Sequence, residues 1–435
     1  MKKFFHYINN EVLVKAASLN TANISIKIVA GILISKFIAI FVGPEGMALI
    51  GNLRNFFNTV QSISIAGLYK GVVKFISQYK YESSKLTGVL STVFYLGFFT
   101  SIALAFLCYY NAEFINDLIF LNNNYTYVVE TLAIVLPFYA LNMFVFSIMN
   151  GFSKYKILLI INIIGQVLGL SVTLLLIWQD KIDGALIAVV ITPALNLLIT
   201  IVGIAFRKNL MSYIKISEIR FLVLRQLSPF MVMALVSSIA LPIVYIIIRN
   251  YIVSEIGIKE AGYWTAVTRV SDYYLMFINS LMALYILPRF TEIDSHKEFR
   301  KEVFSFYKTI LPLFAAILGI IYLSRSLLVT LLFTEEFRPI EDLFGYQILG
   351  DFMRVMSMVI AYKFLAKKMF AHFIIIEVFL FVIMYVSSIY LIDLYGLKGA
   401  VMGHCLSYLM HFAIVILIFG SSLFGILNDN GNEEF

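Results

Sequence analysis

Residues 27–56, KIVAGILISKFIAIFVGPEGMALIGNLRNF, place three cations inside two apolar spans. Lys27 and Lys36 lie in the first span and Arg54 lies in the second. A cation near the centre of a bilayer costs on the order of 3 kcal/mol, so it normally faces a bundle interior or an aqueous cavity. A cationic cavity inside a membrane is suited to an anion. The stretch therefore predicts a polytopic membrane protein with an anion-binding interior.

The composition of the whole chain fits a membrane protein. Its 435 residues are 61% hydrophobic and 14% charged, whereas a soluble chain carries roughly 25% charged residues. The net charge of +7 reflects cytoplasmic loops in part and predicts no nucleic-acid partner. Cys108 and Cys405 fall in apolar spans, and neither has a metal-ligand neighbour at motif spacing, so they predict neither a disulfide nor a metal site. We expect no cofactor.

Apolar stretches long enough to cross a hydrocarbon core of about 30 Å recur along the chain. We predict twelve membrane spans, at residues 15–42, 46–78, 87–110, 127–150, 156–178, 184–206, 227–251, 260–289, 304–332, 341–366, 369–393 and 398–424. Cations fall in the N-terminal segment and in alternate loops, while loop 111–126 has none. By the positive-inside rule, both termini are predicted to be cytoplasmic.

An internal repeat divides the chain into two halves that align at one constant offset. Arg54 aligns with Arg269, and Gly184-Ala185 aligns with Gly399-Ala400. Six spans per half give both halves the same orientation, which is a parallel repeat. We therefore predict an all-α membrane protein of about twelve helices, in two six-helix lobes around a central cavity. The N-lobe is predicted at 1–206, a basic linker at 207–225, the C-lobe at 226–424 and a short cytoplasmic tail at 425–435.

Further charged residues lie inside the predicted C-lobe. Asp272 follows Arg269 by three residues, and Arg354 follows Asp351 by three, so each pair can meet on one helix face. Such pairs either neutralise each other for burial or hold a cation until an anionic ligand competes for it. Glu377 has no local cation and needs a distant partner or a bound proton. These acids, with Arg354, are candidates for gating or for coupling to H⁺ or Na⁺.

The number of interior cations favours an anionic head group as the ligand. A pyrophosphate is compact and doubly charged, and it is well matched by several Lys and Arg donors. Gaps between apolar helices would let a lipid tail stay in the bilayer while its head group crosses. Moving two negative charges outward is favoured by about 4–5 kcal/mol at 100 mV, inside negative.

Four stretches resemble the Wzx-type flippases of the multidrug/oligosaccharidyl-lipid/polysaccharide (MOP) superfamily. They are residues 27–56, 226–250, 271–280 and 344–355. The resemblance implies export of undecaprenyl-pyrophosphate-linked oligosaccharide, such as an O-antigen unit, across a bacterial inner membrane by alternating access. It also implies a cationic cavity contributed largely by the first lobe, with the family's basic positions falling on Lys27, Lys36 and Arg54. We add Arg269 to this set as the repeat counterpart of Arg54. The glycan polymerase machinery is an expected partner.

Two other classes of protein remain as alternatives. A multidrug exporter of the same superfamily would share the architecture, but export of organic cations calls for cavity carboxylates, and the interior charges outside the two pairs are mainly basic. A membrane polymerase acting on the same lipid-linked sugars would be an enzyme with a sizeable external catalytic loop. The outward loops here are short, and no GxxxxGK[ST] motif for ATP hydrolysis occurs. We therefore favour a flippase over an enzyme.

Overall fold

The computed structural model describes residues 11–65, 68–79, 81–121, 123–204 and 214–425. The predicted cytoplasmic tail from residue 426 onward and residues 207–213 of the predicted linker lie outside the described residues, as do Lys2 and Lys3. The described chain forms fifteen α-helices and no β-strand.

Six helices, α1 to α6, form the first part of the chain and are followed by one long helix, α7. Their bounds are α1 Glu11–Phe41, α2 Gly43–Ser64, α3 Tyr69–Tyr79, α4 Ser83–Tyr110, α5 Ala112–Phe120, α6 Thr126–Gly151 and α7 Tyr155–Ile204. The remaining helices are α8 Phe221–Glu255, α9 Ile258–Leu281, α10 Leu287–Glu292, α11 His296–Leu323, α12 Arg325–Leu332, α13 Phe344–Ala366, α14 Phe370–Tyr395 and α15 Leu397–Phe424.

Nine helical segments among the described residues are long and apolar enough to cross a membrane. The longest, Lys156–Gly203, contains a break at Asp180 and Lys181, so it holds the predicted span 156–178 and residues 184–203 of the predicted span 184–206. The predicted spans 46–78 and 341–366 correspond to α2 with α3 and to α13, which are helical but fall outside the nine. The predicted all-α, multi-pass architecture is confirmed.

The chain folds into two compact units. One comprises Met1–Val42 and Asn52–Ile243, and the other comprises Gly43–Gly51 and Val244–Phe435. Helix α2 therefore contributes its first nine residues to the second unit and the rest to the first. The predicted division into an N-lobe, a linker and a C-lobe stays a prediction. Within the first unit, the described part of that linker is held to α4, since the Lys215 N–H donates to Ser91 Oγ and the Arg220 N–H to Thr92 Oγ1, both at 2.9 Å.

The repeat predicted from the sequence is visible in the backbone. Two helix junctions, one in each unit, use a left-handed residue at positions that the repeat aligns, Ser153 with φ 57° and Lys368 with φ 56°. Three amides around each of these residues donate to three carbonyls at the same offset, for example Lys154 N–H to Met149 and Met369 N–H to Phe364. Matching backbone hydrogen bonds at a fixed offset show that the two halves share one supersecondary plan.

The next junction in each unit repeats as well, with Lys181 at φ 48° and Gly396 at φ 58°. Each is followed three residues later by a glycine packed on a backbone carbonyl. A Cβ on Gly184 would lie 1.9 Å from the carbonyl oxygen of Leu176, and a Cβ on Gly399 would lie 2.0 Å from that of Leu391. Such close approaches leave no room for a side chain. Packing therefore explains why both Gly-Ala pairs that suggested the repeat begin with glycine.

We predict that Gly399→Ala destabilises the protein by about 1–3 kcal/mol, because the added methyl group must displace the backbone of Leu391. Thermal unfolding in detergent micelles measures the effect. Gly420→Ala on the same helix is the matched control, since its Cβ would meet only the Phe424 ring at 3.8 Å. Equal unfolding midpoints for the two variants would contradict the packing role of Gly399.

Candidate functional site

The two predicted lysines of α1 lie on opposite flanks of the helix. They are nine residues apart on an unbroken helix, and nine residues make 2.5 turns. Lys27 is exposed, Lys36 is half-buried and Ser35 between them is fully buried. Inside the first unit, α1 is tied to α7 by Gln166 Nε2, which donates to Asn23 Oδ1 at 2.7 Å. A single ligand can therefore meet both ammonium groups only by extending around α1.

Arg54 begins a polar stripe along α2. It is half-buried, and Asn58 and Gln61 follow at positions i+4 and i+7 on the same helix face. The other side of this helix is a buried apolar surface, with Leu53 and Phe57 at 0% and 3% exposure. Sequence, periodicity and exposure therefore agree that Arg54 lies on the polar face of α2.

Arg269, the repeat counterpart of Arg54, is placed differently. Its side chain is buried in the second unit, where Nε donates to Tyr273 Oη at 3.2 Å and Nη1 lies 3.6 Å from Met47 Sδ. The first turns of α2 come close to α9 here, because a Cβ on Gly262 would lie 1.9 Å from the carbonyl oxygen of Pro44. Arg269 is thus a packed residue of this contact.

Arg249 is a second buried arginine, and sequence reasoning missed it. Its position near the end of the predicted span 227–251 is typical of a residue that reaches the interface, but α8 continues to Glu255 and leaves Arg249 only 3% exposed. Its Nε donates to Thr265 Oγ1 at 2.8 Å, and its guanidinium lies over the Trp264 ring. Two apolar residues that follow Arg249, Ile252 and Val253, are the signal in the sequence that the helix continues.

A buried polar cluster links three helices of the second unit. We call Ser271 and Tyr274 of α9, Gln347 and Asp351 of α13, and His404 of α15 the Asp351 cluster. The Asp351 carboxylate is fully buried, with Oδ1 3.0 Å from His404 Nε2 and Oδ2 accepting hydrogen bonds from Tyr274 Oη and Gln347 Nε2. Gln347 Nε2 also lies 3.0 Å from Ser271 Oγ. The five side chains form one connected hydrogen-bond network.

A glycine brings α13 and α15 close enough for this network to form. A Cβ on Gly350 would lie 2.5 Å from His404 Cδ2 and 3.0 Å from Cys405 Cα. Helix interfaces inside membranes use small residues in this way to let backbones approach. One turn further along α13, the Arg354 guanidinium lies over the Tyr408 ring, 5.3 Å from its centre. The Tyr408 ring in turn meets His404 edge-on.

The structure gives partners to the predicted charged pairs. Asp351 contacts His404 on another helix, and Arg269 donates to Tyr273 while Asp272 is exposed. Glu377 is half-buried on α14. The sequence missed the association of His404 and Gln347 with Asp351, although Gln347 precedes Asp351 by four residues and so shares its helix face.

Within the described residues, no group of three or more His, Cys, Asp or Glu side chains is suited to a metal ion.

Two curated proteins are similar to the chain over nearly its full length. They are the Lipid III flippases of Escherichia coli and Shigella flexneri, each 30% identical over 410 residues, which cover 94% of this chain and 98% of the relative. Their names describe flippases of a lipid substrate and not enzymes.

Solved structures with the same fold are transporters. An inward-facing multidrug resistance MATE family transporter of the MOP superfamily has a TM-score of 0.73 at 15% identity, covering 96% of this chain and all of that one. A MOP superfamily transporter from Pyrococcus furiosus, described as having a binding pocket of reverse polarity, has a TM-score of 0.71 at 13% identity, covering 94% and 96%. At these identities the likeness shows the fold alone.

A family model described as polysaccharide biosynthesis protein matches residues 37–342, which is more than half of the chain. This match and the full-length similarity to the two flippases agree with the MOP transporter fold. The chain belongs to the polysaccharide biosynthesis protein family.

Proposed function

We propose that this protein is a flippase that moves undecaprenyl-pyrophosphate-linked oligosaccharide, such as an O-antigen unit, from the cytoplasmic to the periplasmic leaflet by alternating access. The observation that carries the proposal is the 30% identity to Lipid III flippases across 94% of the chain. The multi-pass helical fold and the cations on α1 and α2 support it. We place the protein in the bacterial inner membrane with both termini cytoplasmic, in contact with membrane lipids and with the glycan polymerase machinery.

Lys27 and Arg54 are our leading ligands for the pyrophosphate. Lys27 is exposed, and Arg54 lies on the polar face of α2 with Asn58 and Gln61. A guanidinium can hold two phosphate oxygens at once, whereas an ammonium acts as a point charge, so one of each suits a diphosphate. Lys36 is half-buried on the other flank of α1 and would contact the sugars or a second part of the head group.

Arg269 would act on the head group through its charge and not through contact. Its guanidinium already lies against Met47 and Tyr273 and is only 6% exposed. Asp272, Asp351, Arg354 and Glu377 are proposed as gating or coupling residues, with H⁺ or Na⁺ as the coupling ion.

The similarity to multidrug transporters does not favour drug export. The MATE structures are 12–16% identical to this chain, which shows the fold alone. The flippase relatives are twice as similar and cover nearly the whole chain.

We predict that Arg54→Gln slows export of the lipid-linked oligosaccharide roughly tenfold, and that Lys27→Gln with Arg54→Gln slows it roughly a hundredfold. Each lost charged hydrogen bond to phosphate is worth about 1.5–3 kcal/mol. The measurement is the amount of lipid-linked oligosaccharide on the cytoplasmic leaflet of cells lacking the protein, after each variant is restored at equal abundance.

Arg338→Gln is the matched control for that experiment, because Arg338 is an exposed residue paired with Glu335 before α13. It should clear the intermediate as the wild type does. Normal clearance by the Lys27/Arg54 double variant would overturn the head-group assignment. If no lipid-linked oligosaccharide accumulates in cells lacking the protein, the substrate class is wrong.

We further predict that Lys36→Gln slows export less than Lys27→Gln, because the two side chains leave α1 on opposite flanks and Lys27 is the more exposed. The same leaflet measurement, made on the two single variants at equal abundance, ranks them. The reverse order would place the pyrophosphate on the Lys36 flank of α1.

A further inference from the structure

The Asp351 cluster belongs to only one of the two repeats. At the offset that aligns Arg54 with Arg269, the positions of Gln347, Asp351 and His404 are occupied by Leu132, Leu136 and Val189. Leu132 and Leu136 are fully buried, and the backbone junctions at Ser153 and Lys181 match those at Lys368 and Gly396 in the second repeat.

The first repeat therefore shows that this helix packing needs no ionisable group at these positions. A buried charged network is seldom more stable than well-packed apolar residues of similar size. The acid and the histidine in the second repeat consequently point to a function beyond folding.

The position of His404 Nε2 makes the cluster sensitive to a single proton. This nitrogen lies 3.0 Å from an acceptor, Asp351 Oδ1, and 3.4 Å from a donor, Gln347 Nε2. When Nε2 carries a proton, it donates to the carboxylate. The neutral imidazole keeps this bond in its Nε2–H tautomer, whereas in its Nδ1–H tautomer the bare Nε2 faces the Gln347 amide. A further proton makes the imidazole a cation, so the proton decides how strongly Asp351 of α13 holds α15.

The chemistry of the cluster suits a proton and not a metal ion. Asp351 Oδ2 is surrounded by donors, since Tyr274 and Gln347 both present hydrogens to it. A sodium ion needs several oxygen acceptors instead. The one buried polar atom of the cluster without a hydrogen-bond partner is Gln347 Oε1. If the amide turned over, this acceptor would face the imidazole nitrogen His404 Nε2.

Other titratable or charged groups lie near the pair on five helices. They are Tyr245 of α8, Asp272 and Tyr274 of α9, Arg354 of α13, Glu377 of α14, and Cys405 and Tyr408 of α15. Arg354 offsets the Asp351 charge, so His404 can bind and release its proton without leaving an uncompensated acid.

We propose that the Asp351–His404 pair is the proton-binding site that couples this transporter to a proton gradient. The proposal rests on the proposed function. A proton from water binds the neutral His404 imidazole and turns its contact with Asp351 into an ion pair, and release of the proton leaves the weaker hydrogen bond of a neutral donor. With the proton bound, α15 is held to α13, and through Tyr274 and Ser271 to α9. Without it this link weakens, and the second unit can take up another arrangement.

The first test follows flipping of a fluorescent polyprenyl pyrophosphate by purified protein in liposomes, with and without a pH gradient. We expect the gradient to speed wild-type flipping at least about fivefold. His404→Gln keeps an amide N–H for Asp351 but binds no proton, so it should lose the response. The triple variant Gln347→Leu/Asp351→Leu/His404→Val, which copies the first repeat, should fold and lose it too.

His411→Gln is the matched control, being the same substitution on the same helix seven residues further along. His411 is buried and bonded to Ser357, outside the Asp351 cluster. This variant should keep the response. A gradient response that persists in His404→Gln overturns the proposal, as does stimulation by a sodium gradient at equal pH.

A second measurement needs no substrate. Amide hydrogen exchange in the α15 segment around His404, corrected for intrinsic rates, should be about fivefold slower at about pH 6 than at about pH 8 in the wild type and in His411→Gln, and equal at both in His404→Gln. If exchange behaves so but the polyprenyl pyrophosphate is not flipped, the proposed substrate is wrong and the proton site stands. If flipping occurs but exchange does not depend on His404, the proton site is wrong and the flippase stands.

Discussion

The approach of α13 to α15 at Gly350 is the contact on which the interior of the second unit depends. A Cβ there would overlap His404 and the backbone of Cys405, so only glycine lets the helices meet. Lipid offers no hydrogen bonds, and every polar group carried into this contact must find its partner within the protein. Asp351 does so through His404, Gln347 and Tyr274. One close approach therefore fixes the partners of five side chains on three helices.

The two repeats use one backbone plan for different chemistry. Their helix junctions match in left-handed residues, in amide partners and in the glycines that follow. The first unit carries Lys27, Lys36 and Arg54, and it has leucine or valine at the positions equivalent to Gln347, Asp351 and His404. The second unit carries the buried acid and histidine, and its arginine at the Arg54 position is packed away. Head-group binding and coupling would then reside in separate units.

The sequence was sufficient to predict what depends on composition and repetition. Hydropathy located the spans, and the constant offset between the halves located junctions that the backbone reproduces. The glycines Gly184 and Gly399 were visible because no other residue fits against those carbonyls. The partners of charged side chains were harder to predict, because residue spacing along one helix identifies neighbours on that helix only. The three-residue spacing pairs Asp351 with Arg354, whereas one of its hydrogen-bond partners, His404, lies 53 residues away on another helix.

Arg249 shows a second reason why the site was only partly predictable. Its position near the end of an apolar span is typical of a residue that reaches the interface. The helix extends six residues further, and Gly51 leaves room for the guanidinium beside Thr265 and Trp264. Whether a cation is buried thus depends on a glycine of α2, far earlier in the chain. No local pattern encodes such a contact.

An energy source and a coupling device are separate requirements for a transporter of this kind. The membrane potential alone favours outward movement of a doubly charged head group by about 4–5 kcal/mol at 100 mV. That energy drives export only if the carrier changes conformation when its substrate is bound. A ligand shifts a conformational equilibrium only by its differential affinity for the two states. In our proposal, a cationic surface on α1 and α2 supplies affinity for the anion, and a proton that decides how strongly α15 is held to α13 supplies a difference between states. The absence of this acid and histidine from the first repeat is what one unit specialised for coupling would require.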